Sequence, residues 1–376
     1  MSRFSRFVVF IVLSSASVIA QIDSTSVFKV VPTPSPNQPY PANNLLYSVS
    51  ASSSSDIWAV GASAIHFDGI QWTGFSVPDM MGTGSSALAG VADVSPTDVW
   101  AAGYINYQLV NTFPAPIIEH FDGTSWTIAP SPQFPYEAFL RSIVAISPTD
   151  IWAGGDYFVD PSVFPLIEHY DGTGWSNLSP PVVNCSIWGM SADASDDVWA
   201  VGQTLGGGTC SLHYDGSVWQ AIPTQNAGAA YNTLYGVVAL TPDNVWAAGW
   251  YVSNPNDGRP QLTLIEHWDG VNWKIIPSPN IQPDTQVSSQ LRGITAVSAN
   301  DVWAFGTSIN FASDWASTLV MRWNGSNWAI KPSPDVPLNN SLSDYLEGGT
   351  VLPGGDIWLV GSRNVFDTLV LNATGQ

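Results

Sequence analysis

The chain has 376 residues, with 10 Lys and Arg against 30 Asp and Glu, a formal net charge of −20, and only 11% charged residues. Nucleic acid and anionic membranes are excluded as partners, because both require clustered Lys and Arg. With so few charges, the surface has to be built largely from Ser, Thr, Asn, Gln and Gly.

At the N-terminus, Arg3 and Arg6 precede an apolar run over residues 7–13, and Val18-Ile19-Ala20 forms a small-residue cleavage site. This is the pattern of a secretory signal peptide, expected to be cut after Ala20. The expected organisation is a signal peptide over 1–20 and one domain over 21–376, in a secreted, extracellular protein. Losing two Arg and no acid brings the domain to 8 basic and 30 acidic residues. No later segment has the ~18 consecutive apolar residues of a membrane span. The C-terminal residues carry no lipidation motif, so membrane insertion is not expected.

From residue 56 onward a stretch close to DVWAVG recurs seven times, with its tryptophans at Trp58, Trp100, Trp152, Trp199, Trp246, Trp303 and Trp358. Six copies are followed by an aromatic, an Asp/Asn-Gly pair and a second Trp. A fixed repeat of this kind signals one architecture built by repetition. Residues 88–132 show the unit. Residues 88–94 read as a strand, Ser95-Pro-Thr-Asp98 as a turn, and residues 99–103 as a second strand. After a variable loop, residues 117–121 form a third strand, Asp122-Gly123 a hairpin turn, and Trp126 opens a fourth strand that ends at Pro130-Ser-Pro132. Four short antiparallel strands per unit make a propeller blade. The fold class is therefore all-β, a seven-bladed β-propeller.

The seventh unit stops at Thr374-Gly375, before its fourth strand. Phe28-Lys-Val-Val-Pro32 aligns with Trp273-Lys-Ile-Ile-Pro277, so the N-terminal segment is predicted to supply that strand and close the ring. Closure removes the aggregation-prone sheet edge that an incomplete blade would expose.

The hairpins Asp122-Gly-Thr-Ser-Trp126, Asp171-Gly-Thr-Gly-Trp175 and Asp269-Gly-Val-Asn-Trp273 resemble a shortened Asp-box. Asp-box repeats occupy this blade position in secreted bacterial and fungal propellers, sialidase-like enzymes among them. The Gly-rich second strand also resembles kelch-type repeats. The resemblance spans nearly the whole domain, lacks the leading Ser/Thr and one spacer of the Asp-box, and implies architecture rather than activity.

All five histidines, His66, His120, His169, His213 and His267, hold one repeat position, with Arg322 and Asn372 in the last two units. Equivalent positions in separate blades cannot converge on one ion, so they read as structural and no metal or other cofactor is expected. Glu119, Glu168 and Glu266 precede three of these histidines, at a position that is Ile65, Leu212, Met321 or Leu371 elsewhere. Paired glycosidase carboxylates lie within about 10 Å of each other, closer than separate blades would place them. The aspartates of the DVWA turns read as turn caps. Thirteen of the 18 tryptophans are repeat positions and, with Trp268 and Trp323 in the aromatic slot, read as core.

One position breaks the repeat. Near the start of each first strand the seven units place Tyr47, Ala89, Arg141, Trp188, Tyr235, Arg292 and Glu347. First strands line a propeller's channel, so these side chains are expected to ring one mouth, on the face of the variable loops. Those loops, 104–116, 156–165, 250–263 and 307–317, carry Tyr104, Tyr107, Phe113, Tyr157, Phe158, Phe164, Trp250, Tyr251, Phe311 and Trp315. Cys185 and Cys210 fall on the same face of the fourth unit, one before its first strand and one in its second-to-third loop. They are expected to form a disulfide beside Trp188.

The expected function is non-catalytic binding of an extracellular carbohydrate or protein. Its ligand-binding residues would be Tyr47, Arg141, Trp188, Tyr235, Arg292 and Glu347, with Trp250 and Trp315 as outer contacts. The aromatics would stack, and the arginines would hold an anionic or hydroxylated group. The alternatives are a self-associating subunit of an extracellular filament, coat or adhesion layer, and a polysaccharide hydrolase or lyase using acids among Glu137, Asp156, Asp160, Asp257, Asp314, Asp344 and Glu347. No Ser-His-Asp set, phosphate loop or zinc spacing occurs, and with every His in the scaffold, His-dependent catalysis is not expected. Sequons stand at Asn177, Asn184, Asn324, Asn339 and Asn372.

Overall fold

The computed structural model describes residues 27–34, 44–78, 85–106, 113–228, 230–253, 256, 260–281, 286–313, 315–335, 343–363 and 367–374. The segment expected to be a signal peptide lies outside them, as do Tyr107, Asp257, Asp314 and Asn339.

Seven four-stranded antiparallel sheets are present, six of them in sequential order. Their first strands are Leu46–Ser53, Ser85–Ser95, Ala138–Ser147, Ser186–Ala194, Ala230–Thr241, Val287–Ser298 and Asp344–Val351, which number blades 1 to 7. The ring closes as expected. Lys29–Val30 forms the outer strand of blade 7, pairing Lys29 with Asn372 and Val30 with Leu371. Phe28 is buried against Trp303 of the preceding blade, ring centres 5.6 Å apart.

The core lies between blades. Trp58 of blade 1 packs on Phe121 and Trp126 of blade 2, and Trp152 of blade 3 on Tyr214 and Trp219 of blade 4. Each sheet thus buries its faces on its neighbours, so a long chain needs no single large core. The Asp/Asn-Gly hairpins form as expected. Gly69, Gly123, Gly172, Gly216, Gly270 and Gly325 have φ of 83° to 90°, a region that only glycine enters without strain.

Five of the DVWA aspartates, Asp56, Asp98, Asp150, Asp197 and Asp301, are engaged away from the turn rather than capping it. Serines cap four of these turns: Ser53, Ser95, Ser147 and Ser298 each accept the N–H two residues on. The aspartate points back along the sheet to the repeat histidine, and His66–Asp56, His120–Asp98, His169–Asp150 and His213–Asp197 lie 2.5 to 2.8 Å apart. Asn244 and Asp301 play the same part for His267 and Arg322. Each of the five histidines also packs on the motif Trp of its blade, ring centres 4.0 to 4.5 Å apart. All five are therefore scaffold.

The variable loops are shorter than expected. In blade 3 the second and third strands, Asp150–Val159 and Ser162–Tyr170, pair out to Val159 and Ser162, so residues 156–165 form a hairpin. Blades 2, 5 and 6 extend their central strands likewise, to Asn106, Val252 and Asn310. The aromatic and β-branched residues that suggested loop contacts are strand formers. The Cys185–Cys210 disulfide is present, but Cys210 sits inside the third strand, Thr209–Tyr214, rather than in a loop.

Candidate functional site

Every first strand carries a β-bulge at the same point. The register skips one residue between Leu46 and Ser48, Leu88 and Gly90, Leu140 and Ser142, Ile187 and Gly189, Leu234 and Gly236, Leu291 and Gly293, and Leu346 and Gly348. The seven skipped residues are Tyr47, Ala89, Arg141, Trp188, Tyr235, Arg292 and Glu347. A bulge leaves its extra residue unpaired and re-aims the side chain. All seven line one cavity of about 630 Å³ at the channel mouth.

The glycine of each DVWAVG motif makes the bulge possible. A Cβ on Gly155 would lie 1.8 Å from the Phe139 carbonyl oxygen, and one on Gly202 1.7 Å from that of Ser186. The other five motif glycines face the equivalent oxygen at 1.9 to 2.1 Å. Gly155→Ala should lower stability by about 3 kcal/mol, the upper end for a forced extra carbon. Gly174→Ala, with nothing within 4 Å of its Cβ, should change stability by less than about 0.5 kcal/mol. Urea midpoints of the two variants check this; equal small shifts would remove the steric account.

The ring residues touch one another around much of the rim. Arg141 donates through Nε to Asp156 Oδ1 at 2.5 Å and through Nη2 to Oδ2 at 3.4 Å. Its guanidinium lies 4.1 Å from the Trp188 ring centre and 4.9 Å from that of Phe139. Trp188 packs on Tyr235 at 5.0 Å, and Arg292 lies over Tyr235 at 4.5 Å. Arg292 donates to Gln290 Oε1 at 3.1 Å, and its Nε stands 3.9 Å from Glu347 Oε2. Phe139 meets Tyr104 edge-on at 5.0 Å. Tyr104 also lines the cavity, on the side where Ala89 contributes almost no side chain.

Burial dominates the electrostatics. It pushes the carboxyls of Asp156 and Glu347 above the usual range, and Arg141 and Arg292 respectively pull them back. Burial, followed by the charges of Tyr104 and Glu347, raises the Tyr47 phenol. Below the ring comes a layer of Ser48, Gly90, Ser142, Gly189, Gly236, Gly293 and Gly348, all on the cavity wall. Ser48 and Ser142 accept backbone N–H groups of the next blade, from Val91 at 3.2 Å and Met190 at 3.0 Å. Small residues here let the inner strands approach and leave the mouth open.

The outer residues divide. Trp250 stacks behind Tyr235 at 6.4 Å. Trp315, 43% exposed, borders a separate hollow of about 210 Å³ with Asn310 and Asp335, away from the mouth. Much of the remaining hairpin aromatic surface packs on itself, with Tyr157 against Phe134, Tyr136 and Phe164 at 5.4 to 6.2 Å. Of the acids considered for hydrolysis, Asp156 and Asp344 are wholly buried beside Arg141 and Arg363. Glu119, Glu168 and Glu266 are buried in the sheets, at 0 to 1% exposure. Among the described residues no group of three or more His, Cys, Asp or Glu could hold a metal ion.

No protein-family model matches the sequence, and no curated protein matches it. Solved structures do match in shape. A structure described as YCF48 bound to D1 peptide aligns with a TM-score of 0.58 and 13% identity, over 94% of this chain and 96% of that one. A chain in the crystal structure of a mitotic checkpoint complex aligns with a TM-score of 0.56 and 12% identity, over 100% and 99%. The extracellular domain of a one-component system from B. thetaiotaomicron aligns with a TM-score of 0.55 and 10% identity, over 88% of this chain and 38% of that one. At these identities the likeness concerns the fold alone.

Proposed function

We propose that the protein is a secreted, non-catalytic binding propeller that holds an extracellular carbohydrate or protein ligand at the channel mouth. The observation that carries this reading is the bulge at one position of all seven first strands, which turns seven side chains of five kinds into one cavity. A scaffold that needed only closure would have no use for varied side chains there. Tyr47, Arg141, Trp188, Tyr235, Arg292 and Glu347 are the proposed contacts, with Tyr104 added on the side of Ala89 and Trp250 supporting Tyr235. Trp315 belongs at most to a separate outer contact. The disulfide fits an oxidising compartment, in keeping with the signal-like N-terminus. Two of the similar folds occur in a peptide complex and a multiprotein complex, which supports a binding role over catalysis.

Ala89 offers the test. It is the small member of the ring, so Ala89→Trp would fill the mouth while leaving every other ring residue in place. Glycan and peptide arrays probed with wild type and with Ala89→Trp should show the wild-type signal lost in the variant, with unchanged thermal unfolding. Ligands bound equally by both proteins would place the site elsewhere.

A further inference from the structure

Resting on the mouth as the binding site, we infer that its ligand is an uncharged saccharide, held where two arginine heads flank a pair of aromatic rings. The inference comes from the charge balance. The chain carries a formal charge of −20, so its field disfavours anions on approach. The mouth does not reverse that field locally. Arg141 is engaged through Nε and Nη2 by Asp156, whose carboxyl is wholly buried. A ligand carboxylate would have to displace a buried partner or accept a poorer approach. Arg292 faces Glu347 at 3.9 Å and already donates to Gln290. Two cations are thus matched by two carboxylates. A cationic ligand fares no better, because the guanidiniums stand in the rim, Asp156 lies behind it and Glu347 already faces Arg292.

What remains suits a neutral, hydroxyl-rich molecule. Arg141, Trp188, Tyr235 and Arg292 follow one another at 4.1, 5.0 and 4.5 Å, so two hydrogen-bonding heads flank a central pair of apolar rings. Guanidinium edges, the Glu347 carboxyl, the Tyr47 hydroxyl and the Ser48 and Ser142 hydroxyls supply both donors and acceptors. These groups are held by their neighbours before any ligand arrives, which lowers the entropy cost of binding. A cavity of about 630 Å³ falls in the range of small-ligand sites and has room for roughly two sugar rings, so a chain end fits better than the middle of a long polymer.

The experiment is calorimetric titration of the full-length protein with neutral oligosaccharides of glucose, mannose, galactose, xylose and N-acetylglucosamine. An oligogalacturonate and an uncharged peptide mixture run in parallel. Expected is saturable binding of at least one neutral sugar, changing less than about twofold between about 0.05 and 0.5 M salt, because no ion pair is screened. Trp188→Ala and Tyr235→Ala should each weaken it by about tenfold or more while circular dichroism stays unchanged; two variants keep one misfolded protein from deciding the matter. Failure of every neutral sugar to bind overturns the saccharide inference. So does ring-dependent binding confined to the oligogalacturonate or to peptide, which leaves the mouth intact as the site. Neutral-sugar binding indifferent to both ring variants and to Ala89→Trp overturns the site itself.

Discussion

Phe305→Ala should be among the most damaging single changes in this protein, costing about 3–5 kcal/mol as expected for a fully buried Phe. Phe305 is 1% exposed and stands at a position held by Val60, Ala102, Gly154, Val201, Ala248 and Val360 in the other blades. Room for its ring comes from two glycines. A Cβ on Gly293 would lie 2.3 Å from the Phe305 ring, and one on Gly349 2.5 Å from it. The equivalents of Gly349 in the other blades are Val49, Val91, Ile143, Met190, Val237 and Ile294, all bulkier. Blade 6 has thus taken over volume that blade 7 gave up. Blade 3 shows the reverse trade, with Gly154 lying under the Met190 sulfur, 2.3 Å from its would-be Cβ. The expected result is therefore a coupling as well as a loss. Gly349→Val alone should be destabilising, through overlap with the ring. Combined with Phe305→Val, which restores the pairing of the other blades, it should recover part of the stability that either change loses alone. Denaturant midpoints for the full cycle decide it; strictly additive losses would mean that the ring and the glycine do not share one space.

This trade also shows what the linear chain reveals. The blades, their number, the N-terminal closing strand and the Asp/Asn-Gly turns were legible because each is a local pattern repeated at fixed spacing. The ring position was legible for the opposite reason: one slot of the repeat holds Tyr, Ala, Arg, Trp, Tyr, Arg and Glu. The device that aims these side chains was not. A bulge adds one residue to an alternation that reads normally on either side, and the glycine permitting it looks like composition until the facing carbonyl is placed. Tyr104 reads from the sequence only as one of the loop aromatics, and Phe139 carries no signal at all, because both join the rim only through neighbours in space, Tyr104 beside the gap left by Ala89 and Phe139 against Arg141. The aspartates of the DVWA turns were misread because turn capping is the common role of that residue type. The histidine that claims each of them lies ten or more residues away across a strand.

Replacing Glu168 by Leu should stabilise the protein, and by more at pH 8 than at pH 5. Glu168 is wholly buried, and neither carboxyl oxygen has a hydrogen-bond partner. Its counterpart Glu266 accepts the backbone N–H of Gln225 at 3.1 Å. Gln225 lies six residues beyond Trp219 in the preceding blade; the residue six beyond Trp126, in the blade before Glu168, is Pro132, which has no N–H to give. Burial pushes the Glu168 carboxyl up to about 8 and that of Glu266 to about 7, from an ordinary value of 4.5. Between pH 4.5 and 8 the folded chain therefore holds a proton at Glu168 that the unfolded chain has released. Stability is complete below that window, declines as pH rises through it, by on the order of 1.4 kcal/mol per unit at most, and levels off above it. Asp93, raised to about 8 by burial and then by the charge of Asp56, adds a decline of the same sign. Asp56 and Asp197 act oppositely. Burial is the largest single influence and would raise them, but the hydrogen bonds and charge of their histidines, together with hydrogen bonds from Ser52 to Asp56 and from Trp199 to Asp197, outweigh it in sum and hold both low, so their contribution is lost only in stronger acid. Wild-type stability should accordingly peak in mild acid. Leu is the residue that blades 4 and 7 place at this position, as Leu212 and Leu371, so its side chain suits the slot. Thermal unfolding of wild type and Glu168→Leu from pH 5 to pH 9 should give curves whose separation widens as pH rises, with wild type falling faster. Parallel curves would mean that the Glu168 carboxyl is already ionised at pH 5, and the missing donor would then have no energetic consequence.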